Sequence, residues 1–256
     1  MHAQYADIAQ DQQVLVECIE SGTLSIYYQP ILTTDDATIR GVEALVRIHE
    51  TDGELATNNY LQIAHSTGLI ETIDRWVVEE AIAQVAQWNR EHKQRLTLFS
   101  NMSELVMAAP ELPEFIEHCL KTSELEASLL NIEISEGAFY NPACVSNSKA
   151  LRDLGVKITI DNVGQRDRGT IMFPTDCFDF YKLDKKLFIN NSDKSKIERY
   201  LKQLREYDAE VVAVGIEQKY DLDVCLELGI KLFQGFYAAH PLPPEDFKSW
   251  FISSSH

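Results

Sequence analysis

The sequence predicts an α/β chain closed into a (β/α)8 barrel, and three observations carry that expectation. Eight short runs rich in β-branched and aromatic residues recur between Ser25 and Gly235. Most are separated by stretches whose apolar residues repeat at helical spacing. No Gly-rich phosphate fingerprint follows any of them, which weighs against an open doubly wound sheet. No linker rich in Pro, Gly or Ser divides the chain, so residues 1–256 read as one domain.

In order, Val14, Leu15, Cys18 and Ile19 recur at helical spacing and stop at Gly22. Two strands follow, Ser25–Ile31 and Gly41–Arg47, joined across the polar turn Thr33-Thr34-Asp35-Asp36-Ala37. Alternation puts Val42, Ala44 and Val46 on one face of the second strand and Glu43, Leu45 and Arg47 on the other. An acid and a base therefore point the same way; taken alone, they fit a surface ion pair equally well. Helices are expected over 58–67 and over 71–90, the latter with Ile73, Trp76, Val77, Ala81, Val85 and Trp88 as its core stripe. Next come a strand at 96–101, a helical stretch broken near Pro110 and Pro113 and resuming to Thr122, and a strand at 129–134. A helix at 146–154 precedes strands at 156–161 and 178–184. A helix at 194–207, a strand at 210–217, a helix at 220–228 and a strand at 231–235 complete the pattern.

Composition narrows the function. A chain of 256 residues, 45% hydrophobic and 25% charged, can bury one large core. Its net charge of −17 argues against wide contact with a nucleic-acid polymer, which needs clustered Lys and Arg. An anionic ligand would have to be held by a metal or by a few placed bases. Cys18, Cys119, Cys144, Cys177 and Cys225 are scattered, odd in number and without a CxxC pair, so neither a disulfide framework nor a zinc site is signalled. The chain reads as cytoplasmic, with no apolar run of membrane-spanning length and no signal peptide at its start.

In such a barrel the chemistry sits at the C-terminal ends of the strands. Those ends carry Glu43, Asn101, Glu133, Asp161 and Lys182, with Gln234 closing the last strand. Any one of them alone would pass as a cap or an ion-pair partner. Oxygen donors on several strands, with no Cys or His among them, suit Mg²⁺, Mn²⁺ or Ca²⁺ better than zinc.

Taken together, Tyr27-Tyr28-Gln29-Pro30, Glu43-Ala44-Leu45-Val46-Arg47, Ser100-Asn101-Met102-Ser103, Glu133-Ile134-Ser135-Glu136, Lys182-Leu183-Asp184, Gln234-Gly235-Phe236-Tyr237 and Pro241-Leu242-Pro243 resemble the EAL-domain family. That family comprises bacterial signalling phosphodiesterases that hydrolyse cyclic di-GMP on a TIM-like barrel, and the resemblance runs from about Gln13 to Phe247. It implies a first strand antiparallel to the rest and a role in biofilm or motility regulation. It also implies two divalent cations, Mg²⁺ or Mn²⁺ with Ca²⁺ as an inhibitory substitute. By position, Glu43, Asn101, Glu133 and Asp161 would hold the first ion, and Lys182 would orient the attacking water beside Glu43. Gln29, Leu45, Arg47, Asn101, Asp161, Gln234 and Pro241 would contact the dinucleotide.

The departures from the family bear on the second ion. Its two consecutive aspartates read Asp161-Asn162 here, and its Ala-Glu-Gly-Val-Glu run reads Ala213-Val214-Gly215-Ile216-Glu217. Two carboxylates are missing; Asn162 retains a neutral oxygen and Val214 none. Glu217, three residues along the same expected strand, should face the other way. The family's loop of small residues after the aspartates, which couples dimerisation to metal loading, is replaced by Val163-Gly164-Gln165-Arg166-Asp167-Arg168-Gly169. Three readings follow: a non-catalytic cyclic di-GMP receptor, a protein-interaction module without nucleotide, and a weak metal-dependent phosphodiesterase. The resemblance also implies a possible homodimer. The helix before Ser25 resembles the connector that follows a diguanylate-cyclase-like (GGDEF-like) domain in tandem members, so a longer sensor protein is an expected context.

Overall fold

In a computed structural model that describes residues 2–49, 57–161, 177–189 and 194–254, eight strands close into a barrel in sequence order. They are β1 (Leu24–Thr33), β2 (Ile39–Ile48), β3 (Thr97–Asn101), β4 (Leu130–Ser135), β5 (Lys157–Asp161), β6 (Phe180–Asp184), β7 (Glu210–Val214) and β8 (Leu232–Gln234). Strands β2 to β8 run parallel, and β1 is antiparallel to both neighbours. The cause is local: β1 and β2 are joined by a short polar turn, and parallel pairing would need a crossover of a dozen residues or more. The structure thus has the expected (β/α)8 barrel and its reversed first strand.

Helices α1 (His2–Ser21), α2 (Thr57–Thr67) and α3 (Ile70–His92) lead into β1 and β3, and α3 carries the expected stripe. Beyond them lie α4 (Glu104–Met107), α5 (Leu112–Ser123), α6 (Pro142–Asp153), α7 (Lys194–Glu206), α8 (Lys219–Glu227) and α9 (Pro244–Ser254). The break between α4 and α5 falls at Pro110, and Pro113 sits in the first turn of α5, where its missing N–H costs nothing.

The last helix, which the sequence reading did not anticipate, repairs a mismatch in strand length. Strand β1 pairs with the short β8 only through Leu32 and Thr33. Higher up, its open edge bonds to Leu242, with Tyr28 N donating to Leu242 O at 2.7 Å and Leu242 N to Tyr28 O at 2.9 Å. This bridge brings α9 onto the barrel. Phe247 packs on Trp88 at 5.1 Å between ring centroids, and Trp88 meets Tyr28 edge-on at 4.8 Å.

Inside the barrel the lower layer is apolar. Ile31, Phe99, Val212 and Leu232 form a separate cluster, with Phe99 edge-on to Phe180 at 5.6 Å. Gly41 makes room for it, since a Cβ there would lie 2.7 Å from Phe99 Cε2 and 2.8 Å from Thr97 O. This floor closes the barrel from below and leaves the polar residues of the next layer to face its mouth. Gly41→Ala should therefore cost about 1–3 kcal/mol by overpacking. Denaturant melts of Gly41→Ala and of Gly41→Ala with Phe99→Leu check this, the second change recovering part of the loss.

Candidate functional site

The site is built one layer above the apolar floor, where inward positions on neighbouring strands carry polar side chains. Alternation along β2 turns Glu43 inward above Gly41, and cross-strand pairing sets Gln29 opposite it. The parallel register then sets Asn101 beside Glu133 and Lys182 beside Val212. Gln234 is held at the top of β8 by the close approach of Gly235 to the chain after β7. A Cβ on Gly235 would lie 2.1 Å from Ile216 O, Gln234 O accepts from Ile216 N at 3.1 Å, and Tyr237 N donates to Ile216 O at 3.0 Å.

At the centre stands one ammonium between two carboxylates. Lys182 Nζ lies 2.7 Å from Glu43 Oε2 and 2.7 Å from Glu133 Oε1, and it donates to Glu133 Oε2 at 2.8 Å. All three residues are buried, at 3%, 7% and 1% exposure for Lys182, Glu43 and Glu133. Asn101 Nδ2 donates to Glu43 Oε1 at 2.7 Å, and Gln234 Nε2 donates to Glu43 Oε2 at 2.6 Å and to Gln29 Oε1 at 3.0 Å. Gln29 in turn donates to Ala239 O at 3.0 Å. A cavity of about 280 Å³ opens over this network, lined among others by Asp161, Val214, Glu217 and Phe236.

Charge is divided unevenly here. Burial works to raise the pKa of Glu43, but the Lys182 charge and the hydrogen bonds from Lys182 and Gln234 bring it down to about 2. Burial and the neighbouring Glu43 carboxylate push Glu133 well above the ordinary carboxylate range, against the pull of Lys182. Burial would lower Lys182, yet Glu133, Glu43 and Asp161 together hold it above its usual value. Two carboxylates share a single ammonium, so Glu133 is left short of countercharge, and its Oε1 accepts no well-aligned hydrogen bond despite the ion pair.

Among the described residues no three His, Cys, Asp or Glu side chains already stand as a metal cage, Glu43 and Glu133 both being drawn to Lys182. The donor set nonetheless fits one hard divalent cation. It offers the oxygens of Glu43, Asn101, Glu133 and Asp161, an under-neutralised buried acid, and an oxygen without a hydrogen bond.

Of the remaining expected residues, Arg47 sits higher on β2, paired across the ladder with Ser25, and Leu45 with Tyr27. Pro241 precedes the Leu242 bridge to β1. Asn162 and the Val163–Gly169 loop lie outside the described residues. Val214 faces inward, paired with Asp184 and Gln234, and lines the cavity.

The expectation for Glu217 is corrected. Strand β7 ends at Val214 and Gly215 adopts φ +78°, so alternation no longer governs the residues beyond, and Glu217 lines the same cavity. Its carboxylate pairs with Lys185 at 3.0 Å, and Lys185 also reaches the buried Asp221 at 3.2 Å.

Two supporting residues escaped the sequence reading. Tyr27 shares a face with Gln29 by alternation, the signal that could have found it, and its ring lies 5.4 Å under the Arg47 guanidinium. Asp74, buried on α3, accepts from Ser103 N at 2.7 Å and fixes the turn after Asn101; nothing in the stripe marked it.

Removing the shared ammonium strands two buried carboxylates, a loss of about 3–5 kcal/mol for a broken buried pair. Lys182→Met should therefore melt well below wild type at pH 8. Both acids then bind protons more tightly folded than unfolded, so the deficit should shrink as the pH falls towards 5. Thermal melts across that range check the sign.

A model of the EAL domain matches residues 11–241. The oxygen sensor protein DosP of Escherichia coli (strain K12) is 26% identical over 246 residues, covering 93% of this chain and 31% of the relative. Cyclic di-GMP phosphodiesterase NbdA of Pseudomonas aeruginosa is 27% identical over 241 residues, covering 91% of this chain and 31% of the relative. The chain thus spans under a third of the length of either. Among solved structures, the PaMucR phosphodiesterase in complex with c-di-GMP superposes with a TM-score of 0.84 at 27% identity, over 93% of this chain and 99% of that one. The FimX EAL domain from Pseudomonas aeruginosa bound to c-di-GMP has a TM-score of 0.78 at 21% identity, over 91% and 96%, a likeness of fold.

Proposed function

Because the chain belongs to the EAL-domain family, we propose that it is a cyclic di-GMP receptor that binds one divalent cation and does not hydrolyse the nucleotide. The observation that carries this reading is Val214. It faces the cavity between Asp184 and Gln234 at the position where the resemblance implies a glutamate for the second ion. Asn162 removes a further charge by sequence. A dication needs anionic oxygens, and an isopropyl group offers none.

Glu43, Asn101, Glu133 and Asp161 would hold the one ion, Mg²⁺ or Mn²⁺. Such an ion supplies positive charge to a phosphate oxygen, and a second would be needed to ionise water for attack. Lys182, which here pairs with both Glu43 and Glu133, would face the ligand from the same layer. Gln29 and Gln234, already in one hydrogen-bonded chain with Glu43, would contact the dinucleotide from below, and Arg47 with Leu45 and Pro241 from the upper rim. Cyclic di-GMP as the ligand is supported by the relatives named as its phosphodiesterases and by the PaMucR complex. Retention of Arg47 and Gln234 favours a receptor over a nucleotide-free interaction module.

One observation favours a second reading, a weak phosphodiesterase. Glu217 lines the cavity rather than facing away, and a rearrangement that freed it from Lys185 would return a carboxylate to the mouth.

Isothermal titration with cyclic di-GMP in Mg²⁺ or Ca²⁺ should give saturable heat with no linear product formed. No heat at high micromolar nucleotide removes the receptor reading. Turnover abolished by Glu43→Ala restores the enzyme. The double change Asn162→Asp with Val214→Glu should create hydrolysis. Tight binding without turnover in that variant would shift the cause to the Val163–Gly169 loop.

A further inference from the structure

Above the ion pair, β1 and β2 carry a second cluster in which Arg47 has neighbours, Tyr27, His49 and Ser25, to which the receptor reading gives no role. Cross-strand pairing sets Tyr27 opposite Leu45 and Ser25 opposite Arg47, one and two inward positions above Gln29 and Glu43. The guanidinium carbon of Arg47 lies 5.4 Å from the centroid of the Tyr27 ring. The same ring neighbours His49 at 6.4 Å and 47°, and His49 Nε2 shares a 2.7 Å hydrogen bond with Ser25 Oγ. The lower end of the cluster is tied by Arg47 Nη1 donating to Val46 O at 2.9 Å.

Arg47 is half-buried, and that loss of water draws its pKa down against the opposing pull of Tyr27 and Glu43. A long, flexible cation in this state would turn out to solvent unless something held it. The Tyr27 ring offers a flat, electron-rich surface for the planar guanidinium. The His49–Ser25 bond in turn braces the top of the two strands. Among the described residues one N–H of Arg47 goes to a carbonyl and the contact with the ring consumes none, which leaves most of its five donors uncommitted there.

We infer that Tyr27 is a positioning residue, whose ring holds the Arg47 guanidinium in place with its donors free for a phosphate of the bound dinucleotide. This rests on the receptor reading for the ligand, but the ring's hold on Arg47 exists without any ligand. Pre-organisation of this kind raises affinity by removing the ordering of a side chain from the cost of binding. The hydroxyl of Tyr27 has no part in it, so phenylalanine should serve equally well and leucine should not.

The test is a double-mutant cycle on cyclic di-GMP affinity by calorimetry, with the full chain in Mg²⁺. Tyr27→Leu should weaken binding about fivefold to tenfold, the range of a partly desolvated cation–π contact. Tyr27→Phe should stay within about twofold. In an Arg47→Ala background, Tyr27→Leu should add less than about a twofold loss, because the residue it serves is gone. Equal losses in both backgrounds would mean that Tyr27 touches the ligand or only supports the fold, and no loss in either would mean that the ring does nothing; both results overturn the inference. A second measurement is independent of the nucleotide. In ligand-free protein, ¹⁵N relaxation at Arg47 Nε–H should show lower order in Tyr27→Leu and unchanged order in Tyr27→Phe. Unchanged order in both overturns the inference. Absent nucleotide heat in wild type with the expected relaxation change overturns the receptor reading and leaves the hold of Tyr27 on Arg47 standing.

Discussion

The structure turns on one lysine between two glutamates at the mouth of the barrel. Lys182, Glu43 and Glu133 come from strands far apart in sequence, and burying any of them alone would be prohibitive. Together they are tolerable, yet short by one positive charge, and Glu133 bears the shortfall. That shortfall raises the affinity of Glu133 for a proton. It also explains why the surrounding carboxamides are ordered as they are: Asn101 and Gln234 both donate to Glu43, keeping its oxygens oriented while Lys182 is divided between two partners.

The barrel serves that arrangement from below and from the side. The Phe99–Phe180 floor, made possible by the missing side chain at Gly41, keeps water out beneath the charged layer. The reversed β1 delivers Gln29 and Tyr27 from the side opposite to the parallel strands, so residues early in β1 reach the mouth where those late in β2 do. The Leu242 bridge and α9 then seal the edge that the short β8 leaves open. The same chain end that carries the Pro241-Leu242-Pro243 motif is thus a structural closure as well as part of the rim.

Much of this was legible in the sequence. Strand alternation alone puts Glu43 and Arg47 on one face, and the strand ends carry Asn101, Glu133, Asp161, Lys182 and Gln234, which the fold brings to the barrel mouth. The antiparallel β1 is what the resemblance implies, although the short Thr33–Ala37 connection is itself a physical reason for it. What the sequence hid were events at strand ends and contacts between distant segments. Alternation fails for Glu217 because Gly215 turns the chain out of the strand, and a period carries no warning of where it stops. Nor could it reveal that Asp74, in an apolar helix stripe, steadies the turn after Asn101, or that α9 packs beside the open edge of β1. Both depend on tertiary packing rather than local pattern.

On the receptor reading this pocket holds a single ion. Anomalous diffraction from crystals grown with Mn²⁺ and cyclic di-GMP tests it most directly. A single-ion pocket gives one fully occupied manganese peak among Glu43, Asn101, Glu133 and Asp161. Two fully occupied peaks bridged by Asp161 would contradict it.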